Sequence, residues 1–385
     1  VTYVRNITDI DDKINARALE TGREIGDITL ETSLAFQKDM EGIQALPPDL
    51  EPRATEHVPQ MVAMIESLIT KGHAYVVDDH VLFSVSSMSD YGRLSRLENR
   101  EILAGARVDV APYKKDAQDF VLWKPSEPGI PGWNSPWGRG RPGWHIECSA
   151  MSLEHLGDKF DIHGGGVDLV FPHHENEIAQ SKCALGPDAF ATYWMHNGYL
   201  LSEGEKMSKS LGNFYTVHEL LQEFPGEAIR LHLLQTHYRQ PLDFNKEGIA
   251  EARRTLDRWY RLAQNYVSED DGAVPNSLIT MLSDDLNTPQ AIANLHQLSA
   301  SDPIAFYAGA RFLGFLRETD ENWFKWQSSG VTAGLDVAEI EALMEKRVKA
   351  RQEKDFETSD KIRDELAKQG IVLEDGPGGT SWRRE

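Results

Sequence analysis

Cysteine is scarce: Cys148 and Cys183 are the only two in 385 residues. A disulfide framework is excluded, and a reducing compartment fits. No apolar run is long enough to span a bilayer, and no signal-peptide pattern is present. Positive charge is also short. A net charge of −21 argues against a general nucleic-acid coat or an anionic membrane surface as partner, although a local basic patch would still bind nucleic acid. Internal repeats and low-complexity tracts are absent. With 40% hydrophobic and 26% charged residues, the chain has the composition of a globular protein of two or three domains.

Patterning predicts the order of elements. Val1–Ile7 reads as a strand already under way, with no initiator Met, so we expect an N-terminal segment to precede it. A helical region runs from Asp11 to Leu46, and Pro47, Pro48 and Pro52 end it. Thr55–Lys71 is amphipathic. Ala74–Val77 and His80–Ser84 form a hairpin around Asp78-Asp79. Ser86–Lys115 is loop-rich, Asp119–Lys124 returns to strand, and Pro125–Pro142 is an ordered loop dense in Pro, Gly and Trp. Residues 20–142 therefore read as an insertion in a larger α/β unit. From Thr216 the pattern is helical almost throughout, over 217–224, 227–236, 247–268, 277–298 and 305–318, which predicts a helical bundle. The join from Leu298 to Ile304 is short for helices of this length, and residues are expected to be missing there. A charged helical pair over 335–370 and a small hairpin from Ile371 close the chain.

Two stretches carry chemistry. Gly143–Glu177 holds Gly-Trp-His-Ile-Glu-Cys-Ser, then His-Gly-Gly-Gly-Val-Asp, then Phe-Pro-His-His-Glu-Asn-Glu. A helix opening at Pro172 puts His173 and Glu177 four apart on one face. With Cys148 they supply one sulfur, one nitrogen and one oxygen, a set that zinc accepts. The plainer alternative is a buried cysteine beside satisfied histidines. Three ligands leave one tetrahedral position for a group outside the chain, a substrate or a water. The second stretch, Lys206-Met-Ser-Lys-Ser-Leu-Gly-Asn, follows a strand and precedes a helix. Two lysines three apart can neutralise phosphate charge as it builds in a transition state; the alternative is a solvated turn.

Lys206-Met-Ser-Lys-Ser resembles the signature loop of class I aminoacyl-tRNA synthetases. The long motifs of Gly143–Glu177, Arg5-Asn-Ile-Thr-Asp-Ile-Asp-Asp-Lys and the ending Val372–Arg384 narrow the resemblance to the cysteinyl-tRNA synthetases, over essentially the whole chain. It implies a Rossmann-type parallel-sheet catalytic domain at 1–19 and 143–215, with an N-terminal part still to be supplied. An insertion follows at 20–142, a helical bundle at 216–334 and a small C-terminal α+β anticodon-binding domain at 335–385. It implies one zinc per chain on Cys148, His173 and Glu177, plus a cysteine from the family's N-terminal segment. That segment also carries a His-Ile-Gly-His motif not found here. Thr8, Trp144 and His163 match the amino-acid pocket, although core packing is an equal reading of Trp144 by itself. Gly164, Gly165 and Gly166 would let the backbone approach ATP, and Asp168 would meet its ribose or adenine edge. Lys206, Ser208 and Lys209 would hold the triphosphate, with Lys209 acting on the transition state and Mg²⁺ arriving with ATP.

The same resemblance implies that L-cysteine is activated as an adenylate and passed to tRNA(Cys) by a cytoplasmic, probable monomer with no membrane partner. Lys346, Arg347, Lys349, Arg351 and Lys354 make a basic run, and Phe356 and Trp382 offer faces for unstacked anticodon bases. Asp360 and Asp375 would accept hydrogen bonds from base edges. The plainer reading of this tail is a solvated helix of mixed charge. Two other functions remain open: a related zinc-dependent cysteine ligase with an amino-sugar acceptor, and a catalytically silent, zinc-stabilised tRNA-binding module. Zinc has a physical reason here, because shape alone separates near-isosteres such as cysteine and serine by only about 1–3 kcal/mol.

Overall fold

The computed structural model describes all residues except 97–111, 203, 208–213, 265–271, 329–334, 336, 377–378 and 385. The chain forms two compact units. One comprises 1–38 and 46–199, the other 39–45 and 200–385. No described helix is long and apolar enough to cross a membrane.

Residues 1–7 are extended but bridge a neighbour only at Val4, opposite Leu50, and Ile7, opposite Arg53, both parallel. The expected helix of 11–46 is two helices, α1 (Asp12–Thr21) and α2 (Ile25–Gly42). Asp11 caps α1, its side chain accepting from the Lys13 N–H, and Gly22 ends it at φ +64°, a conformation that glycine adopts without steric cost. Helix α3 (Val58–Thr70) buries Met61, Ile65 and Leu68. Strands β1 (Ala74–Val77), β2 (His80–Phe83), β3 (Phe120–Pro125) and β4 (Gly140–Pro142) make an antiparallel sheet in that order. The β1–β2 turn holds Asp78 and Asp79 at φ +47° and +59°, as a two-residue hairpin turn of the right twist requires.

Helix α4 (Trp144–Leu156) then leads to strand β5 (Lys159–Gly166), helix α5 (Glu175–Leu185) and strand β6 (Phe190–Asn197). Strands β5 and β6 pair in parallel, Lys159 opposite Phe190 through Gly166 opposite Asn197. Parallel neighbours need a crossover, and α5 supplies it. One core joins these pieces: Met61 and Ile65 of α3, Phe83 of β2, Leu122 and Trp123 of β3, Ile146 of α4 and Ala179 of α5.

The second unit opens with strands β7 (Leu200–Ser202) and β8 (Glu205–Lys206), then helices α6 (Val217–Glu223) and α7 (Gly226–Leu234), then strand β9 (Leu242–Asp243). The bundle continues with α8 (Lys246–Ala263), α9 (Asn276–Leu282), α10 (Thr288–Ser301), α11 (Pro303–Phe312) and α12 (Asp320–Lys325). The helix expected over 277–298 is thus broken, with Asp285 and Leu286 both at positive φ. The short join after Leu298 is accommodated by Asp302, which caps α11 through the Ala305 N–H with Pro303 in the first turn. Leu231, Leu256, Trp259, Leu295, Phe306 and Phe315 form the bundle core. Within it the buried Glu227 carboxylate accepts from the Leu316 and Arg317 N–H groups (both 2.9 Å) and the Tyr260 hydroxyl (3.0 Å). Helices α13 (Val337–Gln352) and α14 (Phe356–Lys368) and the antiparallel hairpin β10 (Ile371–Gly376) and β11 (Gly379–Arg384) close the chain.

Candidate metal and substrate site

The site gathers at the carboxyl end of β5, where α/β sheets present ligands. After Gly166 the chain makes a short 3₁₀ turn (Val167–Leu169) and a wide turn over Val170–His174 before α5 begins at Glu175. Phe171 alone in this segment has non-helical angles (φ −139°, ψ 133°), so the helical path expected from Pro172 is formed and runs into α5. His173 and Glu177 share a face, with Nε2 and Oε1 2.6 Å apart. Helix α4 brings Cys148 to them. The Cys148, His173 and Glu177 donor atoms all lie within 4.8 Å of one another, as do those of a second trio, His163, His174 and Glu177. Glu177 belongs to both, its Oε2 2.9 Å from His163 Nε2.

Glu177 is completely buried. Burial pushes its carboxyl up, but the His163 and His173 rings outweigh that and hold it well below the usual carboxylate range. The His163 and His173 Nε2 atoms are the polar groups that approach its two oxygens. Beside this charge, burial pushes the Cys148 thiol well up. A buried anionic oxygen pair facing a thiol and imidazole nitrogens is an environment that suits a divalent cation. The residues present therefore fit zinc, with cysteine sulfur favouring it over harder ions.

Several neighbours were not singled out by sequence reasoning. His145 Nδ1 lies 2.7 Å from His173 Nδ1, and His174 Nδ1 lies 2.8 Å from His196 Nε2. Burial, and then the neighbouring rings, push His145 down to about 3; burial does the same for His174. Both stay neutral at pH 7, and as hydrogen-bond partners they orient the rings they touch. Their signal was the density of histidine in Trp-His and Pro-His-His. Asn6, also missed, reaches from the first segment, its Nδ2 3.7 Å from Cys148 Sγ and 3.5 Å from Thr8 Oγ1. Burial, followed by Asp9, pushes the adjacent Glu147 up to about 9.

The structure places Thr8, Trp144 and His163 around the same trio. Trp144 is 47% exposed and its ring lies 4.1 Å from that of His173. Gly164, Gly165 and Gly166 line β5. A Cβ on Gly165 would crowd His174 and Leu169, and one on Gly166 would strike the Asp168 carboxylate. Gly165 is thus constrained by packing against the buried His174, whereas Gly166 faces the end of an exposed side chain that can move aside. Asp168 is exposed on the 3₁₀ turn. In the second unit Lys206 ends β8, and Ser208 and Lys209 lie outside the described residues.

In the tail, Arg351 is exposed near the end of α13, Phe356 is 62% exposed at the start of α14, and Asp360 pairs with Arg363 at 3.1 Å. Asp375 stands in β10 opposite Thr380. Trp382 departs from expectation. It is only 7% exposed, packs with Ile340, Met344, Leu366 and Ile371, and carries Lys325 over its ring at 5.2 Å. A small domain needs this large side chain in its core, so its face is not an open platform for a base.

Residues 1–254 match the family of class I (C) tRNA synthetase catalytic domains, and residues 336–383 match the cysteinyl-tRNA ligase anticodon-binding domain. The cysteine–tRNA ligase of Rhodospirillum rubrum is 57% identical over all of this chain and 86% of its own length. The chain belongs to the cysteine–tRNA ligase family. The Paramagnetospirillum magneticum cysteine–tRNA ligase agrees, at 56% identity over the whole chain and 86% of its own length. The fold is also that of Mycobacterium tuberculosis methionyl-tRNA synthetase bound by methionyl-adenylate, with a TM-score of 0.55, 15% identity and coverage of 86% of this chain and 80% of that one. Membership makes this a class I ligase with a Rossmann-type α/β catalytic domain, a helical bundle and an anticodon-binding domain.

Proposed function

We propose that the protein activates L-cysteine with ATP and charges tRNA(Cys), and that a zinc ion held by Cys148, His173 and Glu177 selects the substrate by its sulfur. The observation carrying the metal reading is the trio itself: the Cys148, His173 and Glu177 donor atoms lie within 4.8 Å of one another around a wholly buried carboxylate. When bound, zinc favours thiolate strongly over hydroxyl and lowers the thiol pKa, which supplies discrimination that shape cannot.

The remaining work falls to this chain's own groups. His163 fixes one Glu177 oxygen and His173 the other, while His145 orients His173 in turn. Trp144, its ring 4.1 Å from that of His173 and tilted to it, closes the pocket to bulkier side chains, and Thr8 borders it beside Asn6. The cysteine carboxylate attacks the α-phosphorus of ATP, the bond to the bridging oxygen breaks, and pyrophosphate leaves. The terminal ribose hydroxyl of tRNA then takes the cysteinyl group and AMP departs. Neither step needs a protein nucleophile, so positioning and charge stabilisation dominate. Lys206 and Lys209 neutralise the triphosphate, Gly164–Gly166 admit its backbone neighbours, and Asp168 meets the nucleoside. Mg²⁺ is carried by phosphates and water. Arg351, Phe356, Asp360 and Asp375 read the anticodon. The anticodon-domain match of residues 336–383 supports tRNA over an amino sugar as acceptor.

The test is cysteine-dependent ATP–pyrophosphate exchange and tRNA charging by the full-length protein, with metal analysis, for wild type and Cys148→Ser. Wild type should exchange, charge tRNA and hold one zinc; the variant should lose zinc and reject serine poorly. Exchange without tRNA charging would favour the small-molecule ligase, and zinc content with selectivity both intact in the variant would refute the site.

A further inference from the structure

One short segment, residues 242–246, contacts the described residues on both sides of 208–213. On the near side, β7 and β8 form a hairpin with Leu201 opposite Lys206 and Ser202 opposite Glu205. Its turn holds Gly204 at φ +78°, and the Gly204 N–H donates to the Asp243 carboxylate at 3.1 Å. Strand β9 runs parallel to β7, Leu201 opposite Asp243, and the Phe244 N–H extends the contact by donating to the Leu201 carbonyl at 2.8 Å. On the far side Lys246 lies over the Tyr215 ring at 5.3 Å and pairs with Glu223 at 2.6 Å. Thr216 and Glu219 complete a reciprocal cap on α6. Met207 and Tyr215, flanking the loop, pack on the same core.

Most of these contacts are made by backbone or by apolar packing, which many residues supply. Asp243 is different. It is exposed, so no core demands it, and its carboxylate faces the Gly204 N–H and the Asn245 amide (3.3 Å). We propose that Asp243 is a positioning residue for the reaction. By holding the turn at Gly204 it fixes the hairpin strand β8, which ends at Lys206. The proposal rests on the reading of this loop as the triphosphate-binding element. Freeing the entry to a charge-bearing loop adds the entropy of finding the productive arrangement to the barrier, while cysteine binding, which the loop does not carry, is unaffected. An asparagine keeps an acceptor oxygen at the same place; an alanine does not.

The experiment measures kcat and the KM for cysteine in ATP–pyrophosphate exchange by the full-length protein. It compares wild type, Asp243→Ala, Asp243→Asn, Lys209→Ala and Asp302→Ala, the last removing a helix cap elsewhere in the same unit. One hydrogen bond of ordinary net worth sets the expected fall in kcat for Asp243→Ala at about three- to tenfold. Its KM for cysteine should stay within about twofold, since uniform binding is untouched. Asp243→Asn should stay near wild type, and Asp302→Ala should not change kcat. A wild-type kcat in Asp243→Ala, equal damage in Asp243→Asn, or an equal fall in Asp302→Ala overturns the positioning role while the loop reading stands. Wild-type protein without exchange, or Lys209→Ala as active as wild type, overturns the loop reading and the positioning role with it.

Discussion

Replacing Glu177 by Gln separates a metal-holding carboxylate from one that is merely buried. Glu177 is 0% exposed and ionised, with the His163 and His173 rings beside its two oxygens. In metal-free protein its charge is compensated only by the two nearby rings. The lowered pKa means that the fold stabilises the ionised form, so metal-free Glu177→Gln should be less stable than metal-free wild type, by about 3 kcal/mol. With zinc the gap widens. Free zinc at about 100 times Kd stabilises wild type by about 2.7 kcal/mol. At about 2–4 °C per kcal/mol for a unit of this size, that is a rise of about 5–10 °C. Loss of a partner outside the ligand set already weakens metal sites by about 10–100-fold. A ligand lost at the upper end leaves zinc near its Kd and an increment of only about 0.4 kcal/mol. Calorimetry of both proteins, in chelator and in buffered zinc, reads all four values. The reasoning fails if the variant keeps the full zinc-dependent rise, or if metal-free variant melts at or above metal-free wild type.

In the second unit, Glu227→Ala orphans the Leu316 and Arg317 N–H groups and the Tyr260 hydroxyl, and urea unfolding should show a loss of about 3–5 kcal/mol; a loss below about 1 kcal/mol would refute the network. Burial raises the Glu227 pKa despite those donors, so the folded state holds this proton more tightly than the unfolded chain. Its contribution should decline as pH rises from the ordinary carboxyl range through the raised value, a slope that Glu227→Gln should remove. In the tail, Phe356→Ala should weaken tRNA binding by about 1–3 kcal/mol and leave pyrophosphate exchange unchanged, as filter binding and exchange assays can show. Trp382→Ala should instead cost about 3–5 kcal/mol of stability, visible as a lowered unfolding midpoint of the C-terminal domain.

Much of this molecule is decided within a few residues. The Asp78-Asp79 hairpin and the i, i+4 pairing of His173 with Glu177 follow from turn chemistry and helical period. These were legible because each depends on neighbours along the chain. The motifs also carried the family, since their residue types are dictated by chemistry. What lay beyond reach depends on how distant pieces pack. Nothing in the first segment announces that Asn6 ends 3.7 Å from Cys148, because 142 positions of chain must fold between them. Trp382 shows the limit most plainly. An aromatic beside basic residues suits a base platform or a core equally well by composition, and only the packing of α13, α14 and the hairpin around it decides for the core. Burial is a property of the assembled fold, and residue type alone does not contain it.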